Sequence, residues 1–351
     1  MSTVGTLMQV CPDIQAELDQ YFLTCGAEYL REPAPLFEAL MLDPSRANIQ
    51  NLLAAGGNKV RTGQLIYSPR IGEASVVASG SKEMSCSSDT KRGNIYHSYE
   101  IDTTTGYEIS ELMNTNDWQQ VCQGNSQIFA KKVQQMMDAL IRKMATVVTN
   151  QAVALRGPWD DSVTNVDGSN FLDIDTKLSG GNPNPEAWEQ IDLALMQSNF
   201  CAAPMIFSGP TLYSYARLMQ AGCCATSGLD LGQMAALYGK AVAYDKRVAT
   251  AFSSPHKALV VQPGSMHIVT YTANDDGLTG PQYGGSYLKT VVTDPATGFP
   301  IDLKIVDNCG EGISVIMRGL AKVVALPDDM FRTGDTMEGV NYVTGIVVTN
   351  P

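Results

Sequence analysis

The stretch from Asn125 to Leu155 has the hydrophobic pattern of one long, unbroken helix. Its apolar residues recur every three or four positions, which places them along one side of an α-helix. They are Phe129, Val133, Met136, Leu140, Met144 and Val147 in one row, and Met137, Ile141, Ala145, Val148 and Ala152 in the row beside it. At a rise of about 1.5 Å per residue the helix is about 45 Å long, far longer than the average helix of about a dozen residues.

The opposite side of this helix is polar and is predicted to face water. It carries Lys131, Gln135, Asp138, Arg142 and Thr146. A helix of a bundle or a coiled coil would show a similar apolar repeat. The apolar stripe is wider than the two-in-seven seam of a coiled coil, however, and the sequence predicts no second helix of this length to pair with it. A single long helix in a strand-rich chain therefore needs another explanation.

The composition indicates a protein with few surface charges and no membrane span. Of its 351 residues, 17% are charged, against an average of about 25%. No apolar run approaches the roughly 18 residues needed to cross a bilayer, and the first residues lack a signal-peptide pattern. The eight cysteines include no Cys-x-x-Cys pair. We therefore expect reduced thiols and synthesis in a cytoplasm.

The charge is negative overall and unevenly distributed. The net charge of −12 argues against a protein that grips nucleic acid through its phosphates, but not against one that encloses it. Residues 58–93 carry six basic and three acidic residues, a net +3, whereas residues 1–57 carry two basic and seven acidic residues, a net −5. A basic segment beside an acidic one suggests charge complementarity between copies of the chain.

The first hundred residues are predicted to form an arm and a projecting hairpin. Residues 1–57 consist of short segments predicted to be mostly helical, including one after Asp43-Pro44 that would cover Leu52 and Leu53. Residues 58–101 have a strand–tip–strand pattern. The polar tip, Ser79–Gly93, contains Lys82, Lys91 and Arg92. An extended β-hairpin is predicted here, and a disordered loop is the alternative.

The remainder of the chain alternates between helices and strands before it ends in strands. An acidic connection over 159–184 has carboxylates, but neither the ligand periodicity nor the closing glutamate of a calcium loop. Residues 185–286 alternate as in a compact α/β unit. Tyr287–Thr293 and Phe299–Asp307 are predicted to pair as a hairpin, and Ile313–Leu326 is predicted to be one long strand.

No motif in the sequence predicts catalysis, a cofactor site or a metal site. The three histidines are scattered, and none has the spacing of a zinc or metalloprotease site. Ser79-Gly80-Ser81-Lys82 matches the Ser-x-x-Lys of penicillin-binding enzymes, but the companion motifs are missing. We therefore predict no catalytic, cofactor-binding or metal-binding residues and a structural role.

The order of these segments resembles the major capsid proteins of tailed bacteriophages, whose fold is shared with encapsulin compartments. Two runs are similar to the family, PMIFSGPTLYSYARLMQ (Pro204–Gln220) and LYGKAVAYD (Leu237–Asp245). The resemblance implies an α+β fold with an N-terminal arm (1–57), an extended β-hairpin loop (58–101), a peripheral domain (102–184 and 287–336) built on the spine helix 125–155, an α/β axial domain (185–286) and a C-terminal tail (337–351).

The resemblance also implies a function and partners. The chain would assemble with itself into the pentamers and hexamers of an icosahedral virion shell that encloses double-stranded DNA without binding it specifically. Separate scaffold, portal and decoration proteins would be further partners. An encapsulin-like compartment for protein cargo is the alternative within the fold, and a soluble α/β enzyme with an unrecognised site is the alternative outside it.

Two sets of residues are candidates for contacts between subunits. Leu140 and Ile141 lie at the centre of a helix stripe that has no helical partner in its own chain, so we expect them to be buried and to contribute to such contacts. Lys82, Lys91 and Arg92 lie at the tip of the predicted hairpin. We expect them to bind an acidic surface of a neighbouring subunit, because two-stranded ribbons are only marginally stable alone in water.

Overall fold

The computed structural model describes residues 32–43, 52–53, 60–67, 95–114, 126–198, 200, 204–220, 241–272, 282–284, 287–307, 312–325 and 342–349. They form a mixed α+β fold that divides into two compact units. The first unit comprises Met1–Gly63, Tyr99–Val148 and Ile268–Lys322, and the second comprises Gln64–Ser98, Thr149–His267 and Val323–Pro351. These divisions differ from the predicted domain boundaries, since residues 149–184 group with the α/β segment that follows them.

The helices and strands follow one another in a mixed order. They are α1 (Pro35–Leu42), β1 (Leu52–Leu53), β2 (Val60–Tyr67), β3 (Ile95–Asp102), β4 (Tyr107–Met113), α2 (Ser126–Ala154), β5 (Phe171–Ile174), α3 (Glu186–Gln197), β6 (Met205–Ser208), α4 (Pro210–Gln220), β7 (Ala241–Tyr244), α5 (Lys246–Ala251), β8 (Lys257–Val261), β9 (Met266–Thr270), β10 (Gln282–Gly284), β11 (Tyr287–Thr293), β12 (Pro300–Asp307), β13 (Ile313–Gly319), β14 (Ala321–Ala325) and β15 (Val343–Val348).

Helix α2 confirms the long helix that the apolar repeat predicts. It has 29 residues and begins and ends within one residue of the predicted bounds. The predicted stripe is buried, apart from Val147, which is only half-buried. One polar position differs from the prediction: Asp138 is buried rather than exposed. The periodicity shows that Asp138 lies outside the apolar stripe. It does not show that another segment of the chain covers this side of the helix.

A five-stranded antiparallel sheet occupies the first unit, in the order β10-β11-β12-β13-β4. The predicted hairpin is confirmed, since Tyr287 pairs with Val306 and Thr293 with Pro300. Alternate residues of β12 and β13 are fully buried, as expected for a sheet with one face on the core. The predicted long strand over 313–326 is instead two strands, β13 and β14, separated by Leu320.

Part of the predicted arm lies in the core of the first unit. Helix α1 begins with Pro35. Proline has no backbone N–H to donate, and the N–H at the first helical position would have no partner within the helix. Its residues Leu36 and Phe37 are fully buried, and the Phe37 ring lies 5.8 Å from that of Phe299. The prediction of a helix over Leu52 and Leu53 is wrong, because these two residues form β1, which pairs with β2.

The second unit contains a mixed sheet in the order β5-β15-β8-β6-β7. Strand β15, which falls in the segment predicted to be a tail, lies between β5, parallel to it, and β8, antiparallel to it. The Trp159 indole Nε1 donates a hydrogen bond to the Gly345 carbonyl oxygen at 2.8 Å. Helices α3 and α4 cover one face of the sheet through Ala187, Trp188, Ile191, Leu212, Tyr215 and Ala216.

Several predicted elements lie outside the described residues. These are the hairpin tip Ser79–Gly93, residues 1–31 of the predicted arm, and residues 44–59 apart from Leu52 and Leu53. For the predicted hairpin of 58–101, the structure describes β2 and β3, which pair within a three-stranded sheet in the order β1-β2-β3. The bases of the hairpin are therefore strands, as predicted.

Candidate functional site

Leu140 and Ile141 are core residues of the chain itself. They are 3% and 1% exposed, so their predicted burial is confirmed. The chain itself covers both side chains, and their role as contacts between subunits stays a prediction. The sheet approaches the helix closely here: a Cβ on Gly319 would lie 3.1 Å from the Phe299 ring and 3.5 Å from both the Leu140 and the Met144 side chain.

The other predicted contact residues, Lys82, Lys91 and Arg92, lie outside the described residues. Their binding to a neighbouring subunit stays a prediction. Both strands that lead toward this segment, β2 and β3, are described.

The exposed side of α2 contacts the edge strand β4. The Lys132 ammonium forms an ion pair with the Glu111 carboxylate. Eleven residues further along the helix, the Lys143 Nζ lies 5.1 Å from the centroid of the Tyr107 ring. The residue numbers fall along β4 as they rise along α2, from the pair Lys132–Glu111 to the pair Lys143–Tyr107. Strand β4 therefore runs antiparallel to α2. Exposed pairs of this kind contribute about 0–1 kcal/mol each, so the buried stripe rather than these contacts fixes the helix on the sheet.

An acidic cleft opens on the second unit, where most of its lining residues belong to the acidic connection 159–184. It has a volume of about 510 Å³ and is lined by Asp167, Asp173, Asp175 and Glu186 among others. Burial raises the pKa of Asp173, and the nearby carboxylates of Asp175 and Asp167 raise it further. Asp167 has a structural role, because its Oδ1 accepts hydrogen bonds from the backbone N–H groups of Ser169 and Phe171, both at 2.8 Å.

A cation–π contact between Arg156 and Phe171 lies beside this cleft. The Arg156 guanidinium lies over the Phe171 ring, and its nitrogens donate hydrogen bonds to the carbonyl oxygens of Ser169 and Asn170. Burial lowers the pKa of Arg156, while the neighbouring Asp167 acts in the opposite direction. Arg156 thus joins the end of α2 to the start of β5.

The described part of the chain offers no metal centre. None of its histidines, cysteines, aspartates and glutamates form a group of three or more that could hold a metal ion. The His256 ring accepts or donates a hydrogen bond at 2.9 Å from the Thr211 hydroxyl, and His267 is buried. No helix in the described ranges combines the length and the apolar character that a membrane span requires.

Two apolar surfaces on the second unit were not predicted from the sequence. On α3, Met196 is 75% and Leu193 53% exposed. The other surface carries Leu218 of α4, which is 48% exposed. The helical repeat of α3 contained a usable signal, since the buried positions Trp188, Ile191 and Leu195 leave Leu193 and Met196 on the outer side.

Searches of family models and of curated proteins found no match for this sequence. Among solved structures, the chain is similar to one from Mycobacterium phage Che8, at 12% identity and a TM-score of 0.40 over 85% of this chain and 87% of the other. It is also similar to the capsid of the cyanophage P-SCSP1u, at 10% identity and a TM-score of 0.41 over 84% and 85% of the two chains. It is similar as well to the capsid of the Myoviridae phage XM1, at 9% identity and a TM-score of 0.37 over 84% of this chain and 87% of the other. All three likenesses are distant.

Proposed function

We propose that this chain is the major capsid protein of a tailed bacteriophage, a structural protein that assembles with itself into a closed shell around double-stranded DNA. The observation that carries the proposal is the path of the chain. The first unit holds most of a 29-residue helix together with an antiparallel sheet, an α/β segment follows the helix, and the chain then returns to strands of the first sheet. This is the order of segments that the resemblance to the capsid family implies.

The surface chemistry is consistent with a container. A net charge of −12 gives the chain little electrostatic attraction for DNA phosphates, so a packed genome would not adhere to its wall. The exposed apolar side chains of the second unit suit contacts between copies, since large apolar side chains grouped at a surface mark interaction sites. Pentamers and hexamers, the virion location and synthesis in the host cytoplasm belong to the same proposal.

Electron microscopy and sedimentation of the purified chain test the proposal. We expect capsomers or closed shells whose mass is many times that of the 37.8 kDa chain. A monomer at micromolar concentration under all buffer conditions would contradict it. The contents of particles from infected or expressing cells then separate a DNA-filled virion from a compartment that holds protein.

A further inference from the structure

The two apolar surfaces of the second unit differ in shape and in charge. The first, named here the α3 ridge, consists of Glu186, Glu189, Leu193 and Met196. These residues follow one another at intervals of three, four and three, so they form one line along an α-helix. All four are exposed, with the two carboxylates toward the start of the helix and the two apolar side chains toward its end.

The second surface is concave and is named here the α4 groove. It has a volume of about 480 Å³ and lies between the turn over 176–183 and helix α4. Pro183, Pro210, Tyr215 and Leu218 are among its lining residues, so its wall is largely apolar. Tyr215 is held in place because its hydroxyl donates a hydrogen bond to the Asn184 carbonyl oxygen at 2.6 Å.

Two exposed cations lie at or next to the groove. Lys177 is one of its lining residues, and Arg217 directly precedes the lining residue Leu218 on α4. Helix α4 contains no acidic residue and helix α3 no basic one. The ridge is therefore apolar with a negative flank, and the groove is apolar with a positive flank.

We propose that the α3 ridge of one copy of this chain docks into the α4 groove of a second copy. The inference rests on the proposed self-assembly, since it names the surfaces through which neighbouring second units meet. The occupant is a second copy because one unit carries both halves of a complementary pair, each of them open to solvent. Such a contact joins two different patches, so it is heterologous and generates a ring when the rotation closes.

The chemistry of the pair assigns separate roles to its residues. Leu193 and Met196 would leave water on docking, and burial of apolar surface is the main favourable contribution to such contacts. Glu189 would face Arg217 or Lys177 at the rim, where complementary charges orient the partners and disfavour the reversed arrangement. Ridge against ridge, or groove against groove, would place like charges together.

Charge reversal tests the pairing, because these exposed residues can be changed without disturbing the core. We expect Glu189→Arg and Arg217→Glu each to raise the concentration needed for assembly by about threefold to tenfold, with a smaller effect in high salt. The chain carrying both changes should recover most of the loss. Asp161→Arg, an exposed change of the same charge elsewhere in this unit, is the matched control and should assemble normally.

A second variant tests the apolar part of the contact. Met196→Asp should prevent assembly while the circular dichroism spectrum and the melting temperature of the chain stay unchanged. The inference is overturned if the single reversals and Met196→Asp all assemble like the unmodified chain, or if the double reversal is no better than the weaker single variant. An unmodified chain that never assembles would instead refute the proposed function, and with it this inference.

Discussion

The guanidinium carbon of Arg156 lies 3.9 Å from the centroid of the Phe171 ring. The ammonium of Lys257 lies 4.1 Å from the same centroid, so one aromatic ring serves two cations. Arg156 follows the last turn of α2, and Phe171 is the first residue of β5. The ring thus links the residues just after α2, the start of β5 and the first residue of β8.

A double-mutant cycle with Arg156→Met and Phe171→Leu should measure this contact. We expect a coupling free energy of about 0.5–2 kcal/mol, the range for a cation over an aromatic ring. The hydrogen bonds from Arg156 to Ser169 and Asn170 are lost in both backgrounds and cancel in the cycle. Urea unfolding in a Trp118→Phe background, followed by the fluorescence of Trp159 and Trp188, reports the second unit. Additive effects of the two changes would contradict the prediction.

Leu140→Ala should destabilise the first unit strongly. The side chain is buried against the sheet beside Gly319, so its truncation leaves a cavity and costs about 2–5 kcal/mol. Gln135→Ala, an exposed change on the same helix, is the control and should cost little. Thermal unfolding followed by circular dichroism measures both. Equal effects of the two substitutions would show that the stripe does not stabilise the chain.

Asp173→Asn should stabilise the protein at neutral pH. The pKa of Asp173 is raised in the folded state, so its charged form is disfavoured by folding. The penalty is complete above the folded pKa and vanishes below the unfolded value of about 3.9, where both states are protonated. The gain in melting temperature from Asp173→Asn should therefore be largest at pH 7 and shrink as the pH falls toward 4. A gain that is independent of pH would contradict this reasoning.

Replacement of Lys82, Lys91 and Arg92 together by Ser should weaken shell formation or make it more sensitive to salt, with the subunit still folded. The physical reason is the loss of attraction between the basic segment 58–93 and an acidic surface on a neighbour. Native sedimentation at several salt concentrations measures the effect. A chain with Lys131, Arg142 and Lys246 changed to Gln loses the same charge from three exposed positions elsewhere and is the control. Normal shells with a reduced DNA content would show that the three cations contact the genome instead.

The sequence by itself determined the elements whose pattern is local. Helix α2 follows from an apolar repeat of three and four over nearly thirty residues, and the hairpin of β11 and β12 follows from alternation on both sides of a turn. In both cases the buried set is a run of neighbours in sequence, so periodicity alone identifies it. The same repeat predicted the burial of Leu140 and Ile141, which the structure confirms.

Tertiary structure alone decided which distant segments cover one another. Strand β15 lies between β5 and β8, and Phe37 packs against Phe299, although these partners are far apart in the chain. Asp138 has the spacing of an exposed residue and is nevertheless buried. The α3 ridge and the α4 groove likewise become a complementary pair only once folding has placed Leu193 outward and Lys177 beside α4. Local periodicity fixes which side of an element is apolar. Which segment buries that side depends on contacts between residues that are far apart in the chain, and periodicity does not specify those contacts.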